Sequence, residues 1–299
     1  MRAEPGVTQS WIAESTDRIA GSTGRLLATA AVLTDDQARE PSLLPGWSRG
    51  HVLTHLARNA DGLRNLLIWA RTGVVTPQYP SAQARDEAIE AGAGRAAAEL
   101  VADLRESAEA FGAEAASMPG PGWQVSVHGI RGAGHPAWYT LLRRLSEVEI
   151  HHVDLAAGYQ PTDWPAWFVG ERLESVTAGF AGRDDVPAAL LRDTAAAGTS
   201  VPAGTTAAAG TTAAGGTTPG GTTPGGTTVA AGAPAAGAGA SGRWEYKIGK
   251  AAAGGEGSGL PGVTISGPGW LLLAWLTGRS AGAGLTADPA GPLPVLPAW

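Results

Sequence analysis

The chain has 299 residues, 43% of them apolar, a net charge of −6 and no cysteine. Length and apolar content suffice for two domains with hydrophobic cores, while the lack of cysteine excludes disulfides, thiolate ligands and a thiol nucleophile of the protein's own. Because the charge is negative and the basic residues are not clustered, nucleic acid is not expected as a partner. There is neither a signal-peptide pattern nor a run of about 18 apolar residues, so we expect a cytoplasmic protein without a membrane partner.

The first 183 residues show the apolar spacing of amphipathic helices. The predicted helices span residues 8–33, 49–72, 82–116, 135–158 and 164–180. Residues 34–36 are expected to end the first helix and Ser48 to cap the second, and the proline after His135 suits the first turn of the fourth. A short extended connector is predicted at 124–127. Short connections between apolar helix faces predict a helical bundle, in which facing helices can hold metal ligands.

The rest of the chain has short β-branched and aromatic runs instead. Strands are predicted at 190–193, 243–248 and 263–266, followed by a helix at 268–277 that opens with proline. We therefore predict a helical bundle at 1–183 and a smaller α+β domain at 184–299. Between the first two strands Gly-Thr-Thr triplets recur, and residues 199–242 offer almost no large apolar group to bury, which predicts a disordered insert.

One stretch of the fourth predicted helix, residues 143–154, concentrates acidic and imidazole groups. Glu147 and His151 are four residues apart and share a helix face, where an oxygen and a nitrogen can bind one divalent metal such as zinc. A solvated polar stripe explains the same spacing equally well. The apolar residues of this helix centre on His152, which predicts that His152 is the buried histidine. Only a third ligand would make the metal site specific.

The second predicted helix offers two histidines for that third position. His55 flanks the apolar face of the helix, whereas His51 is turned further away. The two are themselves four residues apart, so a metal pair made of His51 and His55 is a competing interpretation.

Three segments of the chain are informative together: LPGWSRGHVLTHLARNA at 44–60, EVEIHHVDL at 147–155 and WLLLAWLTGR at 270–279. They resemble the mycothiol-dependent maleylpyruvate isomerase family and occur in that family's order. The Gly-Trp and His-Leu pairs of the first segment are shared with a wider DinB-like metal-binding superfamily. The resemblance extends over nearly the whole chain except the Gly-Thr-Thr insert, and it implies an N-terminal DinB-like four-helix bundle with a C-terminal domain related to sterol-carrier folds.

The resemblance also implies a metal site in the bundle. By motif, the ligands of Zn²⁺ or another divalent metal are His55, Glu147 and His151. His51 and His152 are then neighbours of the site and not ligands. Asp154 or Asn59 could orient a ligand imidazole through its second nitrogen, as histidine ligands usually require.

The family implies mycothiol as a thiol cofactor, which fits a chain without cysteine. A metal-stabilised thiolate would add to the cis double bond of maleylpyruvate; rotation about the resulting single bond and expulsion of the thiolate would give fumarylpyruvate. The substrate carries two carboxylates, which suit the planar guanidinium of arginine. The favoured catalytic arginine is Arg279, at the end of a predicted helix, and Arg85 is the second candidate. Arg58 and Arg144 are alternative contacts for a carboxylate or for the sugar part of the thiol.

Two other functions stay open. A mycothiol S-transferase would use the same thiolate to detoxify electrophiles. A metal-stabilised binding module would catalyse no reaction and would not need Arg279. For either enzyme the expected partners are a small-molecule substrate, a dicarboxylate in the case of the isomerase, and a low-molecular-weight thiol. The protein itself is expected to be a monomer.

Overall fold

The computed structural model describes residues 7–130, 134–194, 244–250 and 262–297. The helices are α1 (Gln9–Ala30), α2 (Asp35–Arg39), α3 (Arg49–Thr72), α4 (Ala82–Ala93), α5 (Ala97–Ala116), α6 (Tyr139–Asp154), α7 (Ala166–Phe180) and α8 (Gly269–Leu276). The strands are β1 (Ser126–Val127), β2 (His135–Pro136), β3 (Ala189–Asp193), β4 (Trp244–Ile248), β5 (Thr264–Gly267) and β6 (Thr286–Asp288).

Four long helices, α1, α3, α5 and α6, form the N-terminal bundle. Helix α3 packs against α5 and α6, and α1 packs against the same two helices from the other side. Leu26, Leu56 and Leu104 are fully buried where these helices meet. The structure confirms the predicted helical N-terminal part and smaller sheet-containing C-terminal part. None of the helices in the described parts of the chain combines the length and apolar content that crossing a bilayer requires.

The segment expected to end the first helix instead begins a second one. Helix α1 ends at Ala30, and the short helix α2 follows. Thr34 Oγ1 accepts a hydrogen bond from the backbone N–H of Gln37 at 3.2 Å, and Gln37 Oε1 accepts one from the N–H of Thr34 at 3.0 Å. This reciprocal capping satisfies two helix-end donors that would otherwise lack partners.

The predicted continuous helix at 82–116 is wrong, because the chain breaks it into α4 and α5. Gly94 is the C-cap of α4, and Ala96 has the extended backbone of a helix N-cap. The Glu99 carboxylate accepts a hydrogen bond from the Ala96 N–H at 3.1 Å, which caps the new helix. Helix-forming composition favoured one helix, but glycine weakens a helix interior by about 1 kcal/mol.

The break allows α4 to fold back against α3. A Cβ placed on Gly50 of α3 would lie 2.2 Å from the Ala93 carbonyl oxygen at the end of α4, so only glycine permits this approach. As a result Arg85, near the start of α4, comes within hydrogen-bonding distance of His55 on α3.

The predicted start and end of the fourth helix are also wrong. His135 and Pro136 form β2, in which Pro136 pairs with Ser126 of β1 in antiparallel fashion. β1 lies within the predicted extended connector. Helix α6 starts three residues after Pro136 and stops before Gly158, because Ala156 has a φ of 53° and leaves the right-handed helical region.

The C-terminal part contains a four-stranded sheet in the order β4-β3-β5-β6, with β3 and β5 parallel and the outer pairs antiparallel. Leu191 of β3 lies opposite Tyr246 on one side and Ile265 on the other. Helices α7 and α8 pack against each other, α7 also against β4, and α8 against β3 and β5. The three predicted strands and the helix after them are confirmed, and β6 was not predicted. The 199–242 insert lies outside the described residues, and the boundary near 183 stays a prediction.

Candidate metal centre

The start of α3 fixes the two histidines of that helix in different directions. Ser48 Oγ accepts from the His51 N–H at 3.3 Å, and His51 Nδ1 accepts from the Ser48 N–H at 3.1 Å. The other ring nitrogen of His51 lies 3.1 Å from Glu90 Oε2. His55, one turn later, is buried and points to α6. The structure therefore does not bring His51 and His55 together as a metal pair.

The three ligands that the resemblance implies meet at one point between α3 and α6. Glu147 Oε2 lies 2.9 Å from His55 Nε2 and 3.3 Å from His151 Nε2. One ligand atom from each residue lies within 4.8 Å of the others. One carboxylate oxygen and two imidazole nitrogens form a donor set that suits a divalent metal and leaves a coordination position for another ligand.

The protonation of the three groups follows from burial and their contacts. Burial lowers the pKa of His55 and outweighs the opposing hydrogen bond with Glu147. Burial acts on His151 in the same way, but hydrogen bonds to Asp154 and Glu147 prevail and raise the pKa of His151 to about 9. Hydrogen bonds from both histidines also outweigh burial at Glu147 and hold its pKa well below the ordinary value. The site thus pairs a carboxylate with an imidazolium, whose proton a metal must displace.

Further contacts hold the other ring nitrogen of His151, Nδ1. His151 Nδ1 lies 2.8 Å from Asp154 Oδ2. Arg279 donates to both oxygens of Asp154, from Nε at 3.0 Å and from Nη2 at 2.6 Å, and from Nη1 to the Thr277 carbonyl oxygen. A carboxylate behind a ligand imidazole fixes its tautomer and raises its basicity. The contact favours Asp154 over Asn59 as the residue that orients a ligand.

Other candidates from the sequence lie elsewhere. His152 is buried as predicted, and its Nε2 lies 2.8 Å from Thr29 Oγ1 on α1. Arg58 is paired with Asp103 across α3 and α5. Arg144 is fully buried and donates from Nη1 to the Leu56 carbonyl oxygen at 2.7 Å and to Asn59 Oδ1 at 3.1 Å. Burial lowers the pKa of Arg144 to about 10.

A cavity of about 220 Å³ opens beside the candidate ligands. His55 and Glu147 line it, together with Asn59, Gln78, Tyr79, Ala82, Arg85, Asp86, Ile130 and Arg143. Arg85 Nη2 lies 3.2 Å from His55 Nδ1, so this predicted residue contacts one of the candidate ligands. Arg279 lines a different cavity, of about 420 Å³, between the end of α8 and residues 293–297.

Sequence reasoning missed Arg143 and Gln78 as cavity residues. Arg143 precedes Glu147 by four residues, so helical spacing puts it on the same face, and that signal was present in the sequence. Gln78 lies in the loop between α3 and α4, and no spacing rule connects it to α6. Arg143 Nη2 donates to Gln78 Oε1 at 3.1 Å.

Comparisons with known proteins give a family profile and a shared fold. Residues 19–156 match the profile of the mycothiol maleylpyruvate isomerase N-terminal domain. The chain superposes on the crystal structure of the mycothiol-dependent maleylpyruvate isomerase with a TM-score of 0.72 and 23% identity, over 96% of this chain and 97% of that one. A histidine-to-alanine mutant of that isomerase gives a TM-score of 0.71 at the same identity and coverage. No curated protein sequence matches. The chain therefore has the fold of that isomerase, and residues 19–156 belong to the mycothiol maleylpyruvate isomerase N-terminal domain family.

Proposed function

We propose that this protein is a metal- and mycothiol-dependent enzyme that converts maleylpyruvate to fumarylpyruvate by cis-trans isomerisation, in a gentisate-type pathway of aromatic degradation. The observation that carries the proposal is the convergence of His55, Glu147 and His151 beside a cavity that Arg85 also lines. The family of the N-terminal domain and the shared fold support the same reaction.

The chain's own residues would hold the metal and orient the reactants. In the proposal His55, Glu147 and His151 bind Zn²⁺ or another divalent metal, and Asp154 keeps His151 in the tautomer that can coordinate it. Metal bound there would lower the pKa of the mycothiol thiol and supply a thiolate at neutral pH. The 299 residues include no cysteine, so this nucleophile has to come from outside the chain.

Arg85 is the arginine best placed to bind substrate. It lines the cavity with the ligands, and its guanidinium reaches the His55 ring. A carboxylate bound by Arg85 would therefore sit next to the metal ligands, where the double bond has to meet the thiolate. That Arg279 binds a substrate carboxylate stays a prediction, because its guanidinium bonds Asp154 through two nitrogens and would have to release them. In its present position Arg279 acts on the site by holding Asp154.

A thiol-dependent assay on the zinc-loaded protein tests the proposal. We expect maleylpyruvate absorbance to decay only when mycothiol is added, and the His55→Ala variant to lose this activity. His51→Ala is the matched control, since His51 lies one turn away and contacts Ser48 and Glu90 instead of the ligands. Decay at the same rate without thiol would refute the hypothesis that mycothiol supplies the nucleophile. Consumption of a generic electrophile with no isomerisation would identify an S-transferase, and thiol-independent metal binding with no turnover would identify a binding module.

A further inference from the structure

Arg143 is a cation at the cavity that no carboxylate neutralises among the described residues. Its Nη2 donates to the amide oxygen of Gln78 at 3.1 Å, and its Nη1 lies 3.3 Å from His135 Nε2. Both contacts are uncharged acceptors when His135 is neutral, and burial lowers the pKa of His135. Arg143 lines the cavity beside Glu147, one helical turn away on α6.

The other arginines around the cavity either have carboxylate partners or, like Arg144, are fully buried and bonded to Leu56 and Asn59. Arg85 pairs with Asp86 at 2.5 Å, Arg279 with Asp154 at 2.6 Å and Arg58 with Asp103. Withdrawing a charge from water is unfavourable unless a counter-charge is present. Among the described residues that line the cavity, Arg143 is therefore the arginine without a carboxylate partner, whereas Arg85 would have to exchange Asp86, which is 69% exposed, for a ligand.

The guanidinium of Arg143 is also held in place before any ligand arrives. A Cβ placed on Gly129 would lie 3.1 Å from Arg143 Nη1 and 2.4 Å from Gln78 Oε1, so the backbone after β1 lies directly against both side chains. Gln78 is itself buried, and the His135 ring packs on Tyr139 with centroids 5.1 Å apart. A donor fixed in this way loses little conformational entropy when it binds a ligand.

We propose that Arg143 binds one carboxylate of the substrate and so makes the cavity selective for dicarboxylates over monocarboxylates, with Arg85 available to the other carboxylate. The inference rests on the proposed function for the identity of the substrate and deepens it by naming a specificity residue. The planar fork of arginine binds a carboxylate through two parallel hydrogen bonds, which fixes the orientation of the ligand as well as its charge. Two such groups on one cavity can hold a short dicarboxylate at both ends.

Calorimetric titration of the zinc-loaded protein with succinate and with butyrate tests this without requiring turnover. We expect the wild type to prefer succinate, and Arg143→Gln to weaken succinate binding about 10- to 100-fold, as expected for loss of a charge-assisted hydrogen-bonded pair. The ratio of the two affinities should then fall towards one. Arg143→Lys should restore part of the preference, because it keeps the charge but not the fork.

The matched control is Arg71→Gln, which removes the same charge from an arginine of α3 that pairs with Glu114 outside the cavity. It should leave both affinities unchanged, and zinc content should equal that of the wild type in all variants.

In turnover, Arg143→Gln should raise the KM for maleylpyruvate while the KM for mycothiol stays the same. Wild-type succinate affinity in Arg143→Gln, or a wild type that binds succinate no better than butyrate, would overturn the inference. The titration measures binding and does not depend on turnover. A failed isomerase assay would therefore refute the proposed function without deciding whether Arg143 binds a carboxylate.

Discussion

Helix α6 presents a glutamate and a histidine on each of two faces, and the two sets have opposite surroundings. Glu147 contacts both His55 and His151, and it lines the cavity together with His55. Glu149 and His152 face α1 and the segment after α6. Because the residue types are the same, the contacts of each pair determine whether it can bind a metal.

Glu149 and His152 are bound by other side chains of the protein. Glu149 accepts hydrogen bonds from Ser22 Oγ, from Arg25 Nη2 at 2.6 Å and from Tyr159 Oη at 2.6 Å. His152 stacks on Tyr159 with ring centroids 3.7 Å apart. Burial lowers the pKa of His152 to about 4, so it is neutral at physiological pH. A glutamate and a histidine held by protein partners in this way stabilise the fold, whereas a pair that meets a third donor beside a cavity can bind a ligand.

Replacing Glu147 should have the largest effect on metal binding. Glu147→Ala removes the one anionic donor of the three, so zinc content should fall from about one per chain to near zero. The loss should exceed the 10- to 100-fold weakening typical of residues behind the ligands. Metal analysis after dialysis against micromolar zinc measures it, and full zinc content in this variant would exclude Glu147 as a ligand.

Glu149→Gln should give the opposite result and is the counterpart on the other face. The change leaves the donors of Ser22, Arg25 and Tyr159 without their anionic acceptor in a site where the Glu149 side chain is 1% exposed. Because Arg25 is 44% exposed and can turn to water, we expect a loss of about 2–3 kcal/mol in the free energy of unfolding. Urea titration measures this loss, and zinc content should stay at about one per chain. Loss of zinc from the folded variant would show that the two faces are not independent.

Much of this contrast could be predicted from the sequence. The spacing of Glu147 and His151 placed them on one helix face, and the apolar residues around His152 correctly predicted its burial. Periodicity could not say which face meets a cavity, because that depends on residues contributed by other helices. For the third candidate ligand, spacing left both His55 and the pair of His51 and His55 open, and the resemblance selected His55.

The parts of the fold that were missed are those decided by tertiary contacts. Glycines at 92 and 94 lie in an alanine-rich run, and composition favoured one helix over the break that lets α4 pack on α3. His135 and Pro136 suit a helix start, but pairing with β1 made them a strand. Arg85 reaches the cavity through the packing of α4 on α3, and Gln78 reaches it from a loop, so spacing could place only Arg143 beside Glu147.

The smallest expected effect concerns the residue behind His151. Asp154→Asn keeps the shape of the side chain but removes the charge that holds both the His151 ring and the Arg279 guanidinium. Zinc affinity should fall about 10- to 100-fold, the range found for carboxylates that orient histidine ligands, and competition with a fluorescent chelator measures it. Glu90→Gln is the matched control, because Glu90 also contacts an imidazole, that of His51, at 3.1 Å but at the exposed surface. If Asp154→Asn changes zinc affinity no more than Glu90→Gln does, Asp154 only joins α6 to the segment after α8. A selective loss would show that the metal-binding face of α6 depends on Arg279, and through it on the C-terminal part of the chain.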